Sequence, residues 1–195
     1  MIIIRQNDRK IKEKYLFWKE QKVLISFSGA QSTGKTTLLN KLKEDKNLSN
    51  YKFIDEITRN IQRKGYKINE MGDSETQKLI MDSHLENSEF ENAILDRCSL
   101  DGLCYTEYLY NKGNISEDVM NYTRDVFEKT IRKYDVIFYL KPEFEIVDDN
   151  IRSTNKEFQN EIVKLFDKNI EKYNVNVIQL TGSVEERLKT IYEYI

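Results

Sequence analysis

The sequence predicts a three-layer α/β fold, with a five-stranded parallel sheet and helices on both faces. Three observations lead there. Short apolar runs of strand length alternate with longer polar or amphipathic stretches of helical length, the pattern of a parallel sheet with helical crossovers. The run Gly29-Ala30-Gln31-Ser32-Thr33-Gly34-Lys35-Thr36 fits the phosphate-binding template G-x-x-x-x-G-K-[ST] at every fixed position. It also lies between a strand-like segment and a helix-like one. In that setting bare backbone N–H groups and the helix dipole hold phosphates. Together these predict a P-loop NTPase fold.

The elements follow in order. Residues 1–22 read as an N-terminal extension, because Lys10 to Lys22 is rich in charge yet carries Ile11, Tyr15, Phe17 and Trp18 on a partly apolar helical face. Such a helix can pack on the core or serve as an interface. Val23-Leu24-Ile25-Ser26-Phe27-Ser28 is the first strand, and Thr37-Leu38-Leu39-Asn40-Lys41-Leu42 opens the first helix of the domain. Tyr51–Asp55, the short buried run Ala93–Asp96, the strong run Val136–Leu140 and Val175–Leu180 supply the other four strands. Capping boxes are expected at Ser74 with Gln77, Thr154 with Glu157, and Ser183 with Glu186. A helix is expected from Ser74 to about Asn92. There is no internal repeat and no low-complexity segment, so 23–195 reads as one domain.

Composition narrows the class. The 195 residues are 33% charged and 39% hydrophobic, with one proline and seven glycines, as in a globular domain without long linkers. A net charge of −2 argues against a sequence-independent grip on long nucleic acid, which needs surplus Lys and Arg. The spacing of Cys98 and Cys104 fits neither a redox pair nor a zinc site, so both read as reduced core residues. Charge follows Met1-Ile2-Ile3-Ile4 at once, and no stretch approaches ~20 apolar residues, so neither a leader nor a membrane span is expected. The expectation is a cytoplasmic enzyme.

In open α/β sheets the ligand lies beyond the carboxyl ends of the strands. Polar residues gather there. Gly29, Ser32, Thr33, Gly34, Lys35, Thr36 and Thr37 are the candidate nucleotide-binding residues. Lys35 should reach the β/γ-phosphates, with the Thr36 hydroxyl on Mg²⁺. Asp55, Glu56 and Arg59 follow the second strand. Asp96 ends the third as a Walker B-like carboxylate for the metal, and the adjacent Arg97 offers a planar donor fork. For each of these the plainer alternative is a capping carboxylate or a surface ion pair. On the helix from Ser74, Gln77 and His84, with Tyr66 nearby, are candidates for reading a base or sugar. Gln77 could equally serve its capping box, and a lone histidine on a helix is more often structural.

The phosphate loop, Glu56-x-x-Arg59 after strand two and Asp96-Arg97 after strand three, in that order, resemble the small P-loop nucleoside and nucleotide kinases. Deoxynucleoside and thymidylate kinases share this layout. The nicotinamide riboside kinase-like ATP-binding proteins look closest. Asp96-Arg97-Cys98-Ser99-Leu100-Asp101 is similar to their Asp-Arg-Ser-containing segment, and Asp149-Asn150-Ile151-Arg152 resembles the Asp-Gly-x-Arg segment that opens their lid. The resemblance implies an ATP- and Mg²⁺-dependent transfer of the γ-phosphate to a nucleoside, nucleoside monophosphate or similar small acceptor. It implies catalytic roles for Lys35, Glu56, Arg97 and Arg152, a metal site at Thr36 and Asp96, and acceptor contacts at Glu56, Arg59, Gln77 and Arg97. It implies a lid around 142–157 and, from related kinases, a possible homodimer. Asn150 stands where glycine is usual, and Cys98 where serine or tyrosine is common.

Two other classes compete. One is a nucleotide-binding switch on ATP or GTP, although no Asn-Lys-x-Asp guanine-reading motif occurs. The other is a polynucleotide 5′-kinase, for which Arg59, Arg63, Lys64 and Lys67 form the nearest basic cluster. An AAA-type motor is the least expected, for want of room for a second helical lid domain.

Overall fold

Leu24–Ser28 forms β1, buried along its whole length, in a computed structural model that describes residues 23–143 and 155–195. Its burial follows from its place in the sheet. The strands are β1, β2 (Lys52–Ile54), β3 (Ala93–Asp96), β4 (Val136–Leu140) and β5 (Ile178–Leu180), in the spatial order β2-β3-β1-β4-β5. Every pairing is parallel, with Ile25 opposite both Ile94 and Val136. A parallel strand with neighbours on both edges and helices on both faces meets no water, and Leu24, Ile25 and Phe27 are accordingly apolar, with only the small hydroxyls of Ser26 and Ser28 buried among them.

Seven α-helices occur among the described residues: α1 (Lys35–Lys43), α2 (Ile57–Arg63), α3 (Ser74–Asn87), α4 (Ser99–Asn111), α5 (Glu117–Thr130), α6 (Lys156–Lys172) and α7 (Val184–Ile191). Alternate strand residues point to opposite layers. Ile25, Phe27, Ile94 and Phe138 pack with Leu38, Leu39 and Leu42 of α1 and Ile191 of α7. On the other face Leu24, Leu95, Ile137 and Tyr139 pack with α4, α5 and α6 through Leu103, Phe127, Phe158 and Phe166. At roughly 1.5–3 kcal/mol for each fully buried large aliphatic or aromatic side chain, these two layers dominate the stabilisation.

All five expected strands are present, with β5 shorter than the apolar run that announced it. The helix ends differ more. The N-cap of α3 is Asp73, whose side chain accepts from the Thr76 N–H, so Ser74 and Gln77 do not form the expected capping box. Ser74 Oγ instead accepts from the Ser116 N–H and ties the starts of α3 and α5 together. α3 stops at Asn87, five residues early: the Ser88 hydroxyl turns back onto the Leu85 carbonyl, and the chain must then reverse through Asn92 (φ +52°) to enter β3. α6 is capped by Asn155 onto Glu157 and Phe158. Thr154, expected to cap it, lies outside the described residues. The Ser183–Glu186 capping box forms at α7.

The topology positions the site. β1 connects through α1 outward to β2, whereas β3, its neighbour, connects the opposite way to β4. The carboxyl ends of β1 and β3 therefore flank a crevice, the place where such sheets bind ligands. No helix among the described residues is long and apolar enough to cross a membrane.

Candidate active site

The chain turns sharply out of β1. Gly29 has φ +143°, and a Cβ there would collide with the Leu140 carbonyl, so only glycine lets the loop pass the end of β4. Gly34 closes the loop in the left-handed region at φ +92° and hands the chain to α1. Between them Lys35 folds along the loop, its Nζ donating to the Gly29 carbonyl at 2.8 Å, the Ala30 carbonyl at 2.6 Å and Thr33 Oγ1 at 3.1 Å. Lys35 is 5% exposed, and burial, seconded by the Arg97 charge, pushes its ammonium down to about 7.

Asp96 ends β3 beside the first turn of α1, and the Thr36 hydroxyl donates to its Oδ2 at 2.7 Å. Its other oxygen, Oδ1, is buried with no hydrogen-bond partner. Burial, and then the Glu56 charge, raise the Asp96 carboxyl. A buried carboxylate oxygen without a donor, next to a hydroxyl, is a donor set of the kind a hard divalent cation takes, so Asp96 and Thr36 could hold Mg²⁺. No cluster of three or more His, Cys, Asp or Glu occurs among the described residues, so protein carboxylates alone would not complete the shell.

Arg97 follows in a left-handed conformation, φ +83°, which swings its side chain across the crevice. Its Nε donates to Glu56 Oε1 at 2.7 Å, and one terminal nitrogen donates to both the Gly29 carbonyl (3.1 Å) and Asp101 Oδ1 (2.9 Å). Asp101, on the first turn of α4, also accepts from the Gly29 N–H and the Cys98 N–H. Arg59 Nε approaches Glu56 Oε2 at 3.4 Å, so the carboxylate is held between two guanidiniums. Burial alone would raise the Glu56 carboxyl, but the Arg97 charge and hydrogen bond overcome it and hold it well below the usual carboxylate range. Glu56 is therefore a fixed anion, a strong hydrogen-bond acceptor and a weak base.

Two hollows meet at Glu56. One is an open cleft of about 720 Å³ lined by Thr36, Asn40, Asp55, Arg59, Arg63 and Asp96 among others. The second is a narrow cavity floored by α3 and α4 and lined by Glu56, Arg97, Gln77, His84, Asp101 and Tyr105 among others. The Thr106 hydroxyl donates to Gln77 Oε1 at 3.0 Å, which fixes the carboxamide, so Gln77 belongs to the cavity wall rather than to a cap. His84 is buried; burial pushes its imidazole down to about 4, leaving it neutral, and its Nδ1 has no partner.

The structure thus brings together the loop residues with Glu56, Arg59, Gln77, Asp96 and Arg97. Asp55 also lines the open cleft, where it pairs with Lys43. Tyr66 packs with Ile61, Ile68 and Ile80 rather than on the cavity. Cys98 and Cys104 are free and buried. Arg152 and most of the 142–157 segment lie outside the described residues. Sequence reasoning missed Asp101 and Tyr105, as well as Gln159 and Arg187, which touch the loop from α6 and α7. The i,i+4 spacing of Arg97 and Asp101 was a signal for one. Gln159 and Arg187 offered none, since polar residues on amphipathic helices read as solvent-facing.

A family model described as an AAA domain matches residues 24–187. No curated protein matches. Among solved structures, the NadR protein in complex with NR superposes with a TM-score of 0.71 at 18% identity, covering 96% of this chain and 58% of that one. This chain therefore spans less than two thirds of the NadR chain. Deoxyadenosine kinase from M. mycoides, with products dCMP and dCDP bound, gives a TM-score of 0.66 at 16% identity over 88% of this chain and 97% of that one. At these identities the likeness is one of fold, a P-loop kinase-like α/β fold.

Proposed function

The chain belongs to the AAA-domain family, and from that premise we propose that it is an ATP-dependent phosphotransferase, moving a γ-phosphate to a nucleoside, nucleoside monophosphate or similar small hydroxyl acceptor. One observation carries the reading. The Glu56–Arg97 pair is a shared wall, with the phosphate loop bonded to Arg97 on one side and the cavity between α3 and α4 on the other.

In this reading the backbone N–H groups of 30–36 and Lys35 take the β- and γ-phosphates. Lys35 exchanges loop carbonyls for phosphate oxygens as it does so. Thr36 and Asp96 would hold Mg²⁺, which supplies positive charge to the β- and γ-oxygens when bound. An acceptor hydroxyl donates to Glu56, which orients it in line with the γ-phosphorus. Because Arg97 keeps Glu56 ionised and weakly basic, orientation is its main contribution: the new O–P bond forms as the bond to ADP breaks, and the hydroxyl proton, made acidic by that bond, passes late to the Glu56 carboxylate and on to solvent. That suits a loose transition state, which asks for positioning and dispersed charge rather than early deprotonation. Arg97, fixed by Glu56 and Asp101, presents its charge to the transferring group, with Arg152 as a lid arginine. Arg59 and Gln77 contact the acceptor, Gln77 through a carboxamide whose oxygen is already engaged.

The test is ATP consumption with Mg²⁺ against nucleosides, nucleoside monophosphates and nicotinamide riboside. We expect strong stimulation by one acceptor. Glu56→Gln should lower kcat by about 10²-fold, on the scale of one positioned catalytic group, and Lys35→Ala should abolish turnover. ATP binding with no acceptor dependence would replace this reading with that of a nucleotide switch.

A further inference from the structure

The phosphate loop is tied from behind. Its carbonyls at Gly29 and Ala30 accept from Lys35, that of Gln31 from Gln159 Nε2 at 2.7 Å, and that of Thr33 from a terminal nitrogen of Arg187 at 2.8 Å. Of these donors Arg187 is the least expected. It comes from α7, 154 positions along the chain from Thr33, and is 1% exposed. Its second terminal nitrogen donates to Glu143 Oε2 at 2.9 Å, an oxygen that also accepts from the Gly182 N–H.

Packing does not account for an arginine here. A buried guanidinium is costly to desolvate, and replacing a buried pair by well-packed apolar side chains is often neutral or stabilising. What an apolar residue could not do is act on the loop. The Thr33 carbonyl and the Gly34 N–H belong to one peptide unit. A cation on that oxygen polarises the amide, strengthens its N–H as a donor and fixes the plane in which it points. The guanidinium also lies against the back of the turn, since a Cβ on Gly34 would sit 3.4 Å from it.

We propose that Arg187 is a positioning residue of the phosphate loop, polarising the Thr33–Gly34 peptide from behind toward the β-phosphate of a nucleoside di- or triphosphate, with Glu143 fixing its second arm. This rests on the reading of the loop as a nucleotide site.

The experiment reads binding, so it does not depend on any acceptor. Affinities for ADP and AMP are measured by calorimetry for wild type, Arg187→Lys and Glu143→Ala, with Tm of the free proteins alongside. Arg187→Lys keeps the charge and loses the fork. It should weaken ADP by about tenfold, the scale of one charge-assisted hydrogen bond, while AMP, which lacks the β-phosphate, holds. Glu143→Ala, whose carboxylate is partly exposed, should weaken ADP by about threefold while AMP holds, with Tm lowered by the loss of the Arg187 and Gly182 contacts. Wild-type ADP affinity in Arg187→Lys, or equal loss of ADP and AMP, overturns the proposal. If Arg187→Lys does not fold, Glu143→Ala decides alone, and unchanged ADP affinity there overturns it. Wild type that binds neither ADP nor ATP would instead sink the nucleotide-site reading itself.

Discussion

Lys35 carries its charge in a place that penalises it. Burial brings its ammonium to about 7 from an ordinary 10.5. Phosphates favour the charged form, so nucleotide binding above pH 7 must take up a proton. ATP affinity should therefore fall as pH rises from 7 to 9, by as much as about tenfold per unit. Calorimetry at pH 8 in buffers of different ionisation enthalpy should show the uptake, and an affinity flat from pH 6 to 9 would refute it. The free protein responds in the opposite sense. Between about 7 and 10.5 the unfolded lysine holds a proton that the folded one has shed. Stability thus rises with pH across that window, and Lys35→Met should flatten the slope in urea titrations. Asp101 matters through Arg97: Asp101→Asn weakens a buried ion pair and should cost about 3 kcal/mol of unfolding free energy. Lys35 and Thr36 were legible because their template is local, eight consecutive residues with fixed chemistry. Asp101 was readable only as a neighbour of Arg97, and Arg187 not at all, because its partner lies across the fold.

At the scale of elements, strands were the easiest to read and helix ends the hardest. β1, β3 and β4 are buried on both faces, and their largely apolar runs leave no exposed face to misjudge. At the start of α3 the sequence pointed to Ser74 as the cap, whereas the structure caps one residue earlier, at Asp73. Ser74 is drawn off to Ser116, leaving Asp73 to cap. Asp73→Ala should therefore cost about 1 kcal/mol, and chemical denaturation of this variant beside Ser74→Ala checks the assignment. An equal or larger loss in Ser74→Ala would reverse it. The helix was also expected to run on to Asn92, but entry into β3 overrides propensity there. Phe90 leaves the helical path to pack against the core, with Lys52 Nζ 3.4 Å from its ring centroid.

Taken whole, the molecule places its binding loop at the junction of both core layers, so ligand energy should be felt globally. Nucleotide at a hundredfold its Kd stabilises by about 2.7 kcal/mol, which for a chain of this size raises Tm by roughly 5–10 °C. Thermal melts with ADP should show the rise in wild type and lose it in Lys35→Ala. No shift in wild type would mean that the loop does not take the nucleotide. The strand order carries a further consequence, for how the protein is made. β1 is the sheet's central strand, yet its two partners arrive late, at Ala93 and Val136. The Leu24 N–H waits for Asp135, 111 positions downstream. Such distant pairing slows folding, because loop closure precedes any reward. During synthesis, the loop made first is therefore supported last. Nascent chains arrested before Val136 should show rapid amide exchange at Ile25 and Phe27, and release past β4 should bring protection there, with full nucleotide affinity only after Gln159 and Arg187 have joined the loop.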